Sequence, residues 1–422
     1  MTGQMDGRTD GRMNRRRLLA ALPAFLVGTR ALAMQTLLPH FPKKRKPVPE
    51  GPLLVYIGTD TSRGVSKGIY QARFDELAGK LTNPVLAAGI IRPTYFALGP
   101  AKNGKRVLYS VAAGADMASS CVSSFAVDAR TGALAPLNRV SAGGIGPCYV
   151  SIDSTGSAAF VANYGGGTVS SFKIQGDGTL SEPVETLDFH DTARFGPNGP
   201  NPVRQTGPHP HSTMLSPDNR FLLVNDLGHD SIDVFPIDPA TARMGEMEPH
   251  RFTNNHPGSG PRHIAFHPNG RWVYAINEVD STIDRFLWQT AHHKVGESQA
   301  MLVETTTTVK LLADGFPAAK NTAAEVTIPS NGYFLYASNR GEDTLVVFAI
   351  NQENGDLTLV QRIPCGGKGP RHFTFSPNQQ WVICGNQDSA SLTVFKVDEH
   401  TGKLNGPVQT VPIDSPMFTL FV

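Results

Sequence analysis

Charge is scarce in this chain. Only 18% of its 422 residues are Asp, Glu, Lys or Arg, against 42 glycines and 32 prolines. Cysteine is scarcer still, with Cys121, Cys148, Cys365 and Cys384 the only four, and none stands in a C-x-x-C pair. That spacing excludes the common zinc and redox motifs; it reads as buried thiols, with one disulfide as the alternative. The GxSxG elbow, the HExxH helix and the P-loop are missing too, so three common routes to hydrolysis lack their signatures. No long apolar segment repeats with helical period. The run Leu18–Val27 is about ten residues long, too short to cross a bilayer as a helix.

That run follows Asn14-Arg15-Arg16-Arg17 and precedes Ala31-Leu32-Ala33, a small-x-small cleavage pattern. Residues 1–33 therefore read as a twin-arginine-type export signal, which predicts a periplasmic or otherwise exported protein with no membrane span once the signal is removed. Residues 34–50 read as a basic, proline-rich linker, and its PKKRK string as solvated chain. Removing residues 1–33 takes six arginines and two aspartates from totals of 38 basic and 36 acidic residues, leaving 32 against 34, or −2. This balance offers no basic domain to a nucleic acid. The expected partner is a small molecule, and the expected state is a monomer.

What the sequence has in quantity is short strands. VLYSV, AAFVAN, FLLVND, WVYAIN, FLYASN and WVICGN recur between Gly/Pro/Asn/Asp clusters, which points to an all-β fold. One module repeats: a proline near an apolar strand, a Ser/His-Pro-Asp/Asn turn, a second strand ending in Asn, a polar stretch, and a third strand before a Thr-Gly-x-Leu turn. Copies begin near Pro93, Pro147, Pro208, Pro261, Ala319 and Pro370. Residues Leu54–Leu81 supply the later strands of one more copy, whose first strand appears at the other end, in Pro416–Val422. Seven modules with a period of about 53 residues predict a seven-bladed β-propeller over residues 51–422. Pairing of the C-terminal strand with the N-terminal blade removes both exposed edges.

In such a blade the innermost strand runs from one face to the other and the second returns. The residue entering the first strand and the residue leaving the second then emerge together beside the axis. The pairs so placed are Arg262 with Glu278, His211 with Asp226, Glu325 with Arg340, and Arg371 with Asn386. The recurring Asn163, Asn225, Asn277, Asn339 and Asn386 read as structural, bonding backbone at the strand exit.

At these residues the chain resembles the seven-bladed lactonase family, which includes a bacterial 6-phosphogluconolactonase and fungal carboxy-cis,cis-muconate cyclase. VANYGGGTVSSF, GPHPHSTMLSPDNRFLLVNDLGHDSIDVF, GPRHIAFHPNGRWVYAINE and AAEVTIPSNGYFLYASNRGEDTLVVF carry the resemblance, and a second GPRH phrase at Gly369–His372 completes it. The resemblance implies His211 (or, as the alternative, His209), Arg262, Glu278 and Arg340 as catalytic residues, with no cofactor and no metal. In that scheme Glu278 is the general base for water, and Arg262 and Arg340 hold the substrate anion and the oxyanion. His211, titrating near neutrality, protonates the leaving alkoxide. His209, Asp226, His263, Glu325, Arg371 and His372 are candidate substrate contacts. Each has a plainer alternative: an ion pair joining blades for Glu278 and Arg340, and a turn-fixing hydrogen bond for His211 and Asp226. In GPRH the Gly-Pro pair serves the fold, and Arg-His is added chemistry, since the equivalent GPCY at Gly146–Tyr149 lacks it. The expected function is cofactor-independent hydrolysis of a sugar lactone, 6-phosphogluconolactonase-like. The alternatives are cycloisomerisation of a muconate-type dicarboxylate and a non-catalytic binding propeller.

Overall fold

Each Ser/His-Pro-Asp/Asn-x turn closes by a backbone hydrogen bond from its fourth residue to its first. Asn219 donates to Ser216, Gly270 to His267 and Gln379 to Ser376, at 2.9, 2.9 and 2.7 Å. The fourth residue has positive φ in all three, which is why Asn and Gly favour the position. The strands that follow, Phe221–Asp226, Trp272–Asn277 and Trp381–Asn386, are buried along their whole length, because sheets cover both faces.

The structure, a computed structural model, describes residues 51–101, 104–245, 250–253, 256–292 and 298–422. The expected export signal and the 34–50 linker lie outside the described residues. The strands form seven separate antiparallel sheets, the predicted seven blades. Blade one takes its innermost strand from the other end of the chain: Pro416–Phe421 pairs antiparallel with Leu53–Thr59, Val55 opposite Phe421. The edge that a linear array would leave open is thereby closed.

Seven apolar clusters fill the seven junctions between neighbouring blades. Trp272, Tyr274 and Ile276 pack on Leu335 and Val346 between blades five and six, and Val55 and Phe74 pack on Trp381 and Ile383 across the closing seam. Phenol hydroxyls of Tyr56, Tyr274 and Tyr336 latch three of these junctions to a turn glycine of the next blade. Tyr56 reaches the carbonyl of Gly132 (2.9 Å) and Tyr336 that of Gly402 (2.7 Å). Gly402 has φ +70°, and a Cβ there would lie 2.5 Å from the Phe334 ring, so no other residue fits without displacing that ring.

One irregularity of the innermost strands positions everything that follows. In six blades the pairing between first and second strands slips by one residue near the strand entrance. Pro261 faces Asn277 and His263 faces Ile276, so Arg262 is the extra residue. Cys148, His211, Arg371 and Met417 are the extra residues of their blades, and Ala324 holds the corresponding place in blade six. A β-bulge turns consecutive side chains toward the same side of the sheet. The axis is therefore lined by two successive rings: the bulged residues, and beneath them Phe418, Tyr149, Ser212, His263, Glu325 and His372.

Candidate active site

The upper ring opens into a cleft of about 490 Å³ lined by Cys148, Tyr164, Arg204, His211, Glu278, Arg340, Arg371 and Met417, with Arg92 and Thr94 at its edge. That volume suits a small metabolite. Strand geometry correctly brings Arg262, Glu278, Arg340 and His211 together, and Glu278 is the centre of the group. Its Oε2 lies 3.0 Å from Arg262 Nε and 2.9 Å from Arg340 Nη2, and its Oε1 accepts from Arg204 Nη2. Burial alone would raise its pKa; Arg340, Arg262 and Arg204 outweigh burial and hold the carboxyl far below the ordinary range. A carboxylate with both oxygens occupied by guanidinium groups is a poor proton acceptor, so the general-base assignment to Glu278 does not suit this geometry.

Arg262 also departs from expectation. It is 3% exposed and does not line the cleft. Its guanidinium is committed to Glu278 through Nε and to the Ala324 carbonyl through Nη1. Arg340 reaches the cleft, but it too is anchored, donating to the carbonyls of Thr322 (3.3 Å) and Ala323 (3.0 Å). Arg371 is different: it lines the cleft and forms no ion pair among the described residues. Burial, then Arg340 and Arg262, bring its pKa down to about 9, so it remains charged at neutrality but lacks a counter-ion.

His211 is buried, lines the cleft and packs edge-on against Tyr164, ring centroids 5.4 Å apart. Burial, then the charges of Arg262, His263, Arg371 and Arg340, push its pKa well below 6.5. The expectation that it titrates near neutrality is therefore corrected: the imidazole is neutral, and its Nδ1 has no hydrogen-bond partner among the described residues.

Glu325 and Arg340 do not pair. Glu325 stands in the lower ring, where the register gives it the place held by His263 in blade five and His372 in blade seven. Its Oε2 is 3.1 Å from His263 Nδ1 and 3.6 Å from His372 Nε2. Tyr95 and Tyr149 stack beside it with centroids 3.9 Å apart. None of His263, Glu325 or His372 lines the cleft, so as direct substrate contacts all three are corrected. Asp226 is fully buried and its Oδ1 accepts from the backbone of His209, Gly228 and His229, at 2.7, 2.9 and 3.1 Å. It organises a turn. His209 stacks on Tyr164 at 4.5 Å and bonds its carbonyl, which positions that tyrosine rather than a substrate. The strand-exit asparagines meet the expectation only in part: Asn163 and Asn339 donate to the backbone carbonyls of Ala142 (3.0 Å) and Leu311 (3.4 Å), whereas Asn277 and Asn386 donate to the hydroxyls of Thr282 and Thr393, and the Asn225 amide has no partner among the described residues.

Sequence reasoning missed Arg204. It sits in a connection between blades three and four that the other modules lack. Asn201 caps the local turn by accepting from the N–H groups of Val203 and Arg204 at 3.0 Å each. Gln205 ties the loop to the Leu227 carbonyl at 2.9 Å. The signal was available: an arginine in a Pro/Gly/Asn-rich insertion directly before GPHPHS. Tyr164 and Arg92 were also missed; Arg92 pairs with Asp60 at 3.2 Å. The four cysteines are free thiols. Cys148, half-buried rather than buried, lines the cleft, and burial pushes its pKa up to about 12. Among the described residues no cluster of three or more His, Cys, Asp or Glu has the geometry of a metal site, and no helix is long and apolar enough to cross a membrane.

Residues 54–421 match the family described as lactonase, 7-bladed beta-propeller. The 6-phosphogluconolactonase of Bacillus subtilis is 32% identical over 367 residues, covering 87% of this chain and 97% of the relative. That of Formosa agariphila is 31% identical, with 83% and 94% covered. Among solved structures, the periplasmic gluconolactonase of Pseudomonas aeruginosa superposes with a TM-score of 0.77 at 30% identity, covering 88% of this chain and 99% of that one. With the seven closed blades and the match along nearly the whole propeller, the chain belongs to the seven-bladed β-propeller lactonase family.

Proposed function

We propose that this protein is a lactone hydrolase acting on a sugar lactone that carries an anionic group. The observation that carries the reading is the union, in one cleft, of a neutral buried imidazole, His211, with a guanidinium that lacks a counter-ion, Arg371. Arg371 and the outer edge of Arg340 receive the carboxylate or phosphate of the substrate. His211 takes a proton from water as the water adds to the lactone carbonyl. The oxyanion develops against the arginine cluster, and the same imidazole returns a proton to the ring oxygen as it leaves. Glu278 acts as the organiser of three guanidinium groups, keeping Arg340 and Arg204 aimed at the cleft. The relatives' names support the reaction class, and the periplasmic relative supports export, in keeping with the twin-arginine-type segment.

The test is a panel of lactones, 6-phosphogluconolactone and gluconolactone included, followed by acid release from the purified mature protein. Acid release that requires His211 is expected. Turnover of a muconate-type dicarboxylate without acid release from any lactone would replace hydrolysis by cycloisomerisation. Secretion of an epitope-tagged full-length chain, lost on changing Arg15, Arg16 and Arg17 to Lys, tests the export reading.

A further inference from the structure

Three buried ionisable groups of the lower ring are not used by the chemistry above, and they lie in line beneath its base. The His211 and His263 rings are neighbours, centroids 5.2 Å apart and planes at 65°. At that separation two ring nitrogens are within direct or one-water reach. His211 leaves Nδ1 without a hydrogen-bond partner, and His263 leaves Nε2 without one; the two residues are 6% and 4% exposed. Two orphaned imidazole nitrogens on adjacent buried rings are costly unless they serve each other.

The remaining contacts fix which nitrogen carries each proton. Arg262 Nη1, which donates to the Ala324 carbonyl, also lies 3.3 Å from His263 Nδ1. The Glu325 carboxylate is nearer, at 3.1 Å, and can only accept, so His263 Nδ1 holds its hydrogen toward Glu325 and its Nε2 is a lone pair. The N–H of Thr419 donates to His372 Nδ1 at 3.3 Å, so the Nε2 hydrogen of His372 points to the same Glu325 oxygen at 3.6 Å. The other Glu325 oxygen accepts from the Val326 N–H at 3.1 Å.

We propose that Glu325 and His263 form a buried proton relay behind His211, carrying the proton of the attacking water from the cleft to the Glu325 carboxylate and back. The proposal rests on His211 being the group that activates water. The balance is complete within the chain. As the water O–H breaks and its oxygen bonds the carbonyl carbon, His211 gains hydrogen at Nε2 and its Nδ1 gives up a hydrogen while His263 Nε2 gains one, through one bridging water or on closer approach of the two rings. His263 gives its Nδ1 hydrogen to Glu325. Reversal of the same steps delivers one proton to the leaving ring oxygen. His263 and Glu325 are positioning residues, since neither touches the cleft.

Electrostatics favours that direction of transfer. His211 is faced by Arg262, Arg340, Arg371 and Tyr164, which disfavour an imidazolium in the cleft. Glu325 is faced by His263, His372, Arg262, Arg371 and Tyr95; burial, the largest influence, raises its pKa above the ordinary glutamate value despite the two guanidinium groups. The proton thus moves from a site that resists positive charge to a carboxylate that accepts it.

The decisive measurement needs no substrate. In the mature protein labelled with 15N-histidine, NMR at neutral pH is expected to show His211 and His263 both protonated at Nδ1. Glu325→Gln is expected to change the tautomer of His263 and, through it, the signal of His211. Protonation of His263 at Nε2 in the wild type, or an unmoved His211 signal in Glu325→Gln, overturns the relay. On a lactone that the enzyme turns over, Glu325→Gln should lower kcat by about a hundredfold with KM within about twofold. Its rate in mixtures of H2O and D2O should change from a curved to a linear dependence. Glu325→Asp, which keeps the carboxylate, should recover most of the loss. Equal losses in both variants with the curvature retained would show a packing role and sink the relay. Absence of all lactone turnover in the wild type would sink the proposed function and leave the NMR result to judge the proton path.

Discussion

Blades five and seven begin with the same four residues, Gly-Pro-Arg-His, and use them differently. In blade five the arginine is buried and tied to Glu278; in blade seven it faces the cleft with no ion-pair partner among the described residues. The bulge and the backbone register are the same in both. What differs is the residue that leaves the second strand: Glu278 follows Asn277, whereas Gln387 follows Asn386. The histidines both approach Glu325 but diverge at Nδ1, which faces Glu325 in His263 and Thr419 in His372. A repeated word thus sets where a side chain stands, and its neighbours across the strand exit set whether that side chain is structural or available.

The largest way to break the contrast is Glu278→Gln, which strips three guanidinium groups of their shared counter-charge. Removing one partner from a buried charge cluster costs about 3–5 kcal/mol, and loss of the aligned arginines should lower kcat by about 100- to 1,000-fold. Thermal unfolding and lactone turnover read the two effects. Because the folded pKa of Glu278 is depressed, the stabilisation is complete above the ordinary glutamate range and drains as pH falls through the folded value. The difference in unfolding temperature between wild type and variant should therefore shrink in strong acid.

Arg371→Gln comes next. Loss of a charge-assisted bond is worth about 1.5–3 kcal/mol, so kcat/KM for an acidic lactone should fall about 10- to 100-fold while a neutral lactone changes little. Equal losses on both substrates would remove the anion-site assignment. Gln387→Glu sharpens the comparison by giving blade seven the carboxylate that blade five has. It should occupy Arg371 from within and weaken acidic lactones about tenfold, with the fold intact by circular dichroism.

The smallest effect concerns the strand entrances. Before the first strand of blade five, His256 bridges Asp280 and Asp284 at 2.8 Å each, and its pKa rises to about 10, from hydrogen bonds to the two carboxylates. Raised above its unfolded value of 6.5, this histidine contributes stability that is complete below pH 6.5 and lost as pH climbs through about 10. The wild type should lose unfolding temperature between pH 7 and 10.5 to a slightly greater degree than His256→Asn, measured by scanning fluorimetry. A half-exposed group makes this a small difference.

Much of this architecture was legible in the chain because it repeats. The turn word, the strand-ending asparagine and the split first module dictate a closed ring, and strand direction brings His211, Arg262, Glu278 and Arg340 to one mouth. What escaped is what the repeat does not encode. Arg204 comes from an insertion without counterparts. Glu325 was placed one layer too high because blade six lacks the proline that marks the bulge elsewhere, so its alignment to the other modules slid by one position. Protonation was not legible either: three guanidinium groups surround His211 and Glu278 alike, and what decides which one is free to accept a proton is that they bond both oxygens of Glu278 directly and leave a nitrogen of His211 unpartnered among the described residues.

The closing strand has a consequence for the integrity of the cleft. Met417 and Phe418 belong to the two axial rings, and Thr419 holds His372. The floor beneath the cleft is therefore complete only once Leu53–Thr59 has captured Pro416–Phe421, so a substitution that loosens this pairing would disturb the cleft together with the ring.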